Sequence, residues 1–181
     1  MKKVILLTTF VFATAVLFAQ KKVTTSGVIS FDASTSLDNL PKAENKTVIA
    51  AIDTQTGTIQ FEAAVKNFAF ANPTMQGHFN GEKWLNSDKF PKFTFSGKIT
   101  DLSKIDFNKD GTYLVSVTGD LTIKDITKPL TTPGTIIVKD GVLGASAEFS
   151  VKLADYEITG VPVEVGKVAK EPKISVSVEM K

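Results

Sequence analysis

The stretch TYLVSVTGDLTIK, residues 112–124, decides the fold class, because nearly every second side chain along it has the same character. A β-strand directs successive side chains to opposite faces, so this alternation predicts a strand with one buried face and one face in water. The predicted buried face carries Tyr113, Val115, Val117, Gly119, Leu121 and Ile123, and the opposite face carries Ser116, Thr118, Asp120, Thr122 and Lys124. Such strands are typical of antiparallel sheets.

The same period of two recurs along the rest of the chain. It is found in TIQFEAAVK (58–66), KFTFSGKI (92–99), ASAEFSVKLA (145–154) and KISVSVEMK (173–181), with further apolar runs in GVISFDA (27–33) and TVIAAID (47–53). Turn-forming residues lie between the runs, at Asn39-Leu40-Pro41, Thr56-Gly57, Asp110-Gly111, Lys128-Pro129, Pro133-Gly134 and Asp140-Gly141. We therefore predict a single all-β domain of about eight strands, which can close into a barrel or stack as a sandwich.

Residues 75–95, MQGHFNGEKWLNSDKFPKFTF, contain the only histidine (His78) and the only tryptophan (Trp84) of the chain. We predict one short helix near residues 80–87, which would bring Phe79 and Trp84 to a common face. This helix is the candidate for a lid over one end of the sheet.

Residues 1–19 have the composition of a secretory signal peptide. Two lysines precede an apolar run (4–18), and Ala19 offers a small residue for cleavage. The run is short and no stop-transfer charges follow it, so we predict cleavage near Ala19 rather than an uncleaved anchor, and no permanent membrane span. Residues 20–181 would then form one domain that is periplasmic or secreted.

The composition argues against most kinds of catalytic and metal-binding site. All 21 basic residues are lysines, they nearly balance the 19 acidic residues, and the chain has no cysteine. Without arginine or a basic excess we expect no nucleic-acid partner. A single histidine and no thiolate cannot build the usual transition-metal centres. The segment 106–113 imitates the start of a calcium loop but lacks the carboxylate at the twelfth position, so we predict no metal site.

The predicted inward positions mix large side chains such as Phe61 and Phe149 with small ones such as Gly97 and Ala145. Such a set either interlocks into a solid core or leaves an apolar bore, and the residues leave both outcomes open. If a bore exists, its wall is predicted to include Phe61, Val65, Phe79, Trp84, Phe93, Phe95, Tyr113, Val117, Leu121, Phe149 and Val151.

Three motifs carry a family resemblance. They are MQGHFN…WLNSDKFPKFTFSGKI from Met75, VTGDLTIKDITKPLTTPG from Val117 and GASAEFSVKLADYEI from Gly144. Their residue types and spacing resemble the YceI-like family of exported bacterial lipid-binding proteins. The resemblance implies an elongated, lipocalin-like antiparallel β-barrel with a long apolar tunnel that takes a polyisoprenoid or similar lipid, and no cofactor besides such a lipid.

His78 has three open roles. It can hold the lid through hydrogen bonds, contact a lipid head group, or act as a base with Ser87 and Asp88 nearby in sequence; no triad motif frames these residues, so we predict no catalytic residue. Lys83 and Lys89 can meet an anionic head group as point charges, or be ordinary surface lysines.

The leading functional hypothesis is a periplasmic, non-enzymatic carrier of a long-chain apolar lipid, such as an isoprenoid, a quinone or a fatty-acid derivative. The alternative is a barrel with a filled core that serves as a structural or protein-interaction module of the cell envelope. An enzyme acting on lipids or small esters is a third hypothesis, disfavoured by the composition. The sequence leaves a homodimer open.

Overall fold

The computed structural model describes residues 21–181, so the predicted signal peptide (1–19) lies outside the described residues. The strands of this part of the chain are β1 (Lys21–Asp32), β2 (Lys42–Asp53), β3 (Thr58–Ala64), β4 (Ala69–Phe70), β5 (Lys92–Ile99), β6 (Gly111–Ile123), β7 (Ile126–Lys139), β8 (Val142–Ser150) and β9 (Lys173–Met180). The helices are α1 (Pro73–Asn80) and the single-turn α2 (Val161–Glu164), and short 3₁₀ turns cover Val65–Asn67, Leu102–Lys104 and Leu153–Tyr156.

The strands form a closed antiparallel barrel. Neighbouring strands pair in the order β1-β9-β8-β7-β6-β5-β3-β2, and an additional pairing of β1 with β2 closes the ring. The two-residue β4 pairs with β2 at Ala43 and Glu44. The prediction of an all-β, lipocalin-like barrel of about eight strands is confirmed, and closure removes the exposed sheet edges that a sandwich would leave.

Period-two alternation correctly identified the inward faces. In β6, Val115, Val117 and Ile123 are buried, while Thr112 and Leu114 on the other face are exposed. The side chains that point inward form one apolar cluster towards the α1 end of the barrel and a second towards the opposite end. The barrel interior is therefore the core of the domain.

Two predicted turns were wrong. Lys128-Pro129 and Pro133-Gly134 both lie inside β7, which continues through them and pairs with β6 along thirteen consecutive positions. The predicted turn at Asp140-Gly141 does join β7 to β8, with both residues in the left-handed region (φ 51° and 78°), the conformation that a two-residue hairpin requires.

The predicted position of the helix, near residues 80–87, is wrong: α1 covers Pro73–Asn80 and so ends where the predicted helix begins. The side chain of Asn72 accepts hydrogen bonds from the main-chain N–H groups of Thr74 (2.9 Å) and Met75 (3.4 Å), and Pro73 occupies the first turn. An asparagine cap followed by proline is a strong start signal, so the helix begins there; it ends at Asn80, with Gly81 as the C-cap.

Gly77→Ala should raise the free energy of unfolding by about 0.5–1 kcal/mol. Gly77 lies inside α1, and a Cβ added there would meet no atom within 4 Å, so alanine contributes its helix propensity without a steric cost. Urea denaturation measures the change. Gly141→Ala, at a φ of 78°, is the matched control and should lower stability; a Gly77→Ala protein that is no more stable would contradict the prediction.

Among the described residues, no helix combines the length and the apolar character needed to cross a bilayer.

Candidate functional site

An apolar cavity of about 160 Å³ lies inside the barrel. Every strand of the closed ring contributes inward side chains to its wall, including Ile29 and Phe31 from β1, Ile52 from β2 and Ile174 from β9. The polar side chains among the lining residues are threonines and one serine, so the wall carries no charged group. Such a cavity favours a hydrocarbon ligand over a polar one.

Most of the side chains predicted on the wall do line this cavity. They are Phe61, Phe79, Trp84, Phe93, Phe95, Val117, Leu121, Phe149 and Val151. The sequence prediction missed wall residues that lie outside the regular alternation, among them Phe68, Leu85 and Ile158. These lie in the connections between strands, where period-two alternation gives no information about the direction of a side chain.

Val65 and Tyr113 were predicted on the wall and lie elsewhere. β3 ends at Ala64, and the 3₁₀ turn that follows buries Val65 in the core outside the cavity. The Tyr113 hydroxyl donates towards the carbonyl oxygens of Asp106 and Lys109, both at 3.1 Å, because a partly buried phenol needs a hydrogen-bond partner. The ring therefore packs under the loop before β6 instead of facing the cavity.

A cross-strand glycine pair makes room for one of the wall rings. Gly97 on β5 lies opposite Gly119 on β6, and a Cβ added to Gly97 would lie 2.6 Å from Cζ of Phe95. The ring of Phe95 thus occupies the space that side chains at both glycine positions would fill. Because the ring lies against the wall, it leaves the centre of the barrel less obstructed.

Gly119→Ala should lower the free energy of unfolding by about 1–3 kcal/mol, the usual cost of overpacking. The added methyl would lie 2.4 Å from both Cα of Gly97 and the main-chain oxygen of Ser96, so the backbone itself must move. Chemical denaturation measures the loss. Gly144→Ala, whose nearest contact would be 3.6 Å, is the control and should lose less; equal losses would show that close packing at the glycine pair is not the cause.

An aromatic cluster covers the α1 end of the barrel. The ring of Phe79, at the end of α1, lies 5.6 Å from that of Phe31, 5.7 Å from that of Phe68 and 4.9 Å from that of Phe70. Phe93 joins the cluster through Phe68, with ring centroids 5.8 Å apart. Tilted and edge-on pairs at these distances are mutually attractive, so the cluster forms a packed cover over this end.

The three predicted head-group residues lie on the surface and do not line the cavity. The side chain of His78 is exposed, and no hydrogen bond or ion pair of this side chain is found within residues 21–181. Lys83 is exposed, and Lys89 places its ammonium 4.9 Å from the ring centre of Phe90. The Phe90 ring also lies 5.9 Å from the ammonium of Lys124, so two positive charges share this site.

The residues considered for a catalytic triad have other partners. Ser87 is buried and its hydroxyl donates to the main-chain oxygen of Asn80 at 3.2 Å. Asp88 forms an exposed ion pair with Lys66. Neither bonds to His78, so the structure does not assemble a nucleophile and base from these side chains.

Asp32, at the end of β1, has a perturbed pKa. Burial raises the pKa of this carboxyl group. The carboxylate accepts hydrogen bonds from the main-chain N–H (2.9 Å) and the hydroxyl of Ser34, and the Lys42 ammonium lies at 3.4 Å. These interactions together lower the pKa by more than burial raises it, so the net shift is downward. A carboxylate with a lowered pKa stabilises the fold above its unfolded pKa, and that contribution is lost as the pH falls through the folded value.

Asp32→Asn should therefore reduce the loss of stability on acidification below about pH 4. Its effect at neutral pH should stay below about 1 kcal/mol, because the Asp32 side chain is 42% exposed and water screens the pair. Denaturation curves recorded from pH 7 to pH 2 test this, and identical acid dependence in both proteins would contradict it.

Comparisons with known proteins agree with this architecture. A family model described as a YceI-like domain matches residues 11–180. A UPF0312 protein of Yersinia pestis is 32% identical over 108 residues, which are 56% of this chain and 50% of that protein, so the chain spans about half the length of the curated relatives it matches.

Two solved structures share the fold. BcnA of Burkholderia cenocepacia superposes with a TM-score of 0.66 at 20% identity, covering 90% of this chain and 98% of that one. A domain from Saccharophagus degradans described as polyisoprenoid binding gives 0.72 at 11% identity, with the same coverage. At these identities the likeness establishes the fold alone.

Proposed function

Because the chain belongs to the YceI-like family, we propose that it is a non-enzymatic, periplasmic carrier that holds a long-chain apolar lipid inside its barrel. The observation that carries the proposal is the apolar cavity, to which every strand of the ring contributes. The description of the Saccharophagus domain as polyisoprenoid binding supports an isoprenoid as the ligand class. The composition of residues 1–19 supports the periplasmic location.

Removal of hydrocarbon from water would provide the binding energy. Each methylene buried contributes about 0.8 kcal/mol, so ten of them contribute about 8 kcal/mol before the costs of association. Because the cavity wall carries no charged group, binding of a hydrocarbon would not leave a buried charge without a partner. Shape and length of the hydrocarbon, rather than a specific hydrogen bond, would then set selectivity.

The volume of the cavity limits what can enter without rearrangement. An engineered protein cavity of about 150 Å³ holds one benzene molecule, and this cavity has a similar volume, about 160 Å³. A long chain must therefore displace wall side chains along the bore. Phe61, Phe95 and Phe149 are the candidates, because they line the cavity and are only partly buried.

We infer that the polar end of the lipid stays outside the bore. His78, Lys83 and Lys89 lie exposed around the α1 end, and the shared site of Lys89 and Lys124 over Phe90 would favour an anionic group. The attraction between these exposed lysines and an anionic head group should be weak and should decrease as the salt concentration rises.

The modest volume also favours a second candidate, the filled-core module of the envelope. In that case the cavity is a packing defect and no lipid is taken up. Mass spectrometry of an organic extract of protein purified from the periplasm, followed by titration with geranylgeraniol, separates the two. The carrier proposal expects a co-purified isoprenoid or saturable uptake, and failure of both would overturn it in favour of the filled-core module.

A further inference from the structure

The pairing between β7 and β8 stops halfway along β7. It runs from Lys139 opposite Val142 at the hairpin to Gly134 opposite Ala147. Beyond that point β7 continues to Ile126 paired with β6 alone, and β8 continues to Ser150 paired with β9 alone. Within residues 21–181, the barrel wall therefore has a gap between residues 126–133 of β7 and residues 148–150 of β8, which we call the seam.

Proline explains where the pairing ends. In an antiparallel hairpin alternate residues direct their main-chain groups to the same neighbour, so residues 139, 137 and 135 face β8. The next residue in that series is Pro133, in register with Glu148, and it has no N–H to donate. The hydroxyl of Thr132 instead donates to the main-chain oxygen of Glu148 at 3.1 Å.

The same defect recurs four residues along β7, at Pro129. This residue also belongs to the series that faces β8, so a second donor is missing from the seam edge. Proline in a strand is confined to edges and irregularities, because it cannot donate to a ladder. Two prolines at this spacing keep the seam from pairing with β8 or with another chain.

Both edges of the seam belong to the cavity wall. Leu130 and Thr132 on β7 and Phe149 on β8 line the same cavity. Leu130 and Phe149 are only partly buried. The ends of the barrel are covered, by the aromatic cluster around α1 and by side chains of the β5–β6 connection, including Leu102, Ile105 and Phe107.

We propose that an apolar lipid enters and leaves the cavity sideways through the seam, between Leu130 and Phe149, rather than through an end of the barrel. This rests on the proposed carrier function. Passage through the seam breaks no strand pairing, whereas passage through the α1 end must separate the packed rings of Phe31, Phe70 and Phe79. Residues 126–133 can bend outward, because β6 is the only strand that pairs with them and the Thr132 hydroxyl bond to Glu148 is the one hydrogen bond described across the seam.

Covalent closure of the seam provides the test. The native chain has no cysteine, so Thr131→Cys with Ser150→Cys introduces one pair, on exposed outward positions at the two edges. A short bis-maleimide joins the pair, and stopped-flow fluorescence follows retinol, an isoprenoid alcohol that fluoresces more strongly in apolar surroundings. We expect association and dissociation both to slow at least tenfold with Kd unchanged, because the closure alters the path and neither end state.

The control pair is Lys139→Cys with Val142→Cys, joined by the same reagent. These residues lie opposite each other in the intact part of the ladder and do not line the cavity, so their rates should match those of the uncross-linked protein. Equal rates in both cross-linked proteins would overturn the proposal and leave the carrier function intact. If the unmodified protein takes up neither retinol nor geranylgeraniol and yields no isoprenoid on extraction, the carrier function is overturned, and the seam proposal with it.

Hydrogen exchange on the unmodified protein gives a second test that needs no variant. The amides of Thr127 and Thr131 face the seam, and those of Thr135 and Ile137 face β8 within the ladder. The first two should exchange at least about 100-fold faster than the second two. Equal protection of all four would show that the seam is closed in solution and would overturn the proposal.

Discussion

Ala147→Phe should reduce the affinity for geranylgeraniol at least about 100-fold while the barrel remains folded. Ala147 points into the cavity from β8, opposite Val176 of β9 and Gly134 of β7. A cavity of about 160 Å³ has room for one benzene-sized ring, so the new side chain would occupy the space that the lipid needs. A 100-fold loss is about 2.8 kcal/mol, the contribution of three to four methylenes.

The stability of this variant separates blocking from unfolding. Filling an existing cavity should change the free energy of unfolding by less than about 1.5 kcal/mol, because apolar area is gained as strain is added. Ala154→Phe, at an exposed position of the 3₁₀ turn after β8, is the matched control and should bind as the native protein does. Unchanged affinity in a folded Ala147→Phe protein would place the lipid outside the barrel and contradict the carrier proposal.

Phe79→Ala should lower the free energy of unfolding by about 3–5 kcal/mol, the usual cost of removing a buried phenylalanine. Phe79 is 7% exposed and contacts three other rings of the aromatic cluster, so its removal leaves a void that several rigid side chains border. Because rigid rings cannot move to fill such a void, we expect a loss of stability near the upper end of this range, which is a large share of the total stability of a single domain. Urea denaturation followed by tryptophan fluorescence measures the change.

Phe90→Ala is the comparison for this prediction. Phe90 is partly exposed, and its ring contacts the ammonium groups of Lys89 and Lys124 rather than other rings. Its loss should cost about 1 kcal/mol, since a cation–π contact at an exposed site is weak. If the Phe79 variant loses no more stability than the Phe90 variant, the aromatic cluster does not hold the α1 end together.

The strands and their inward faces were predictable because the signal is local. A strand needs only its own alternation to show which side chains share a face, as residues 112–124 do. The displaced helix shows the limit of this reasoning: the cap and proline at residues 72 and 73 were present in the sequence, but the aromatic residues that follow drew the prediction to residues 80–87.

Several positions of the candidate site depended on contacts between distant residues. Val65 follows the alternation of the inward residues of β3, but the strand ends at Ala64, before Val65 is reached. Tyr113 follows the alternation of the inward residues of β6, but its hydroxyl bonds to carbonyl oxygens of the preceding loop. Sequence spacing does not contain either fact, because each depends on where another segment of the chain lies.

The sequence by itself determined the class of the fold, the inward faces and the apolar character of the interior, since these follow from residue type and period. Only the tertiary structure decided that the interior retains a cavity, that Phe95 lies over a glycine pair, and that β7 leaves β8 at Pro133. Volume, register and the end of a strand ladder are properties of pairs of segments. They arise when strands far apart in sequence meet, and no single stretch of residues specifies them.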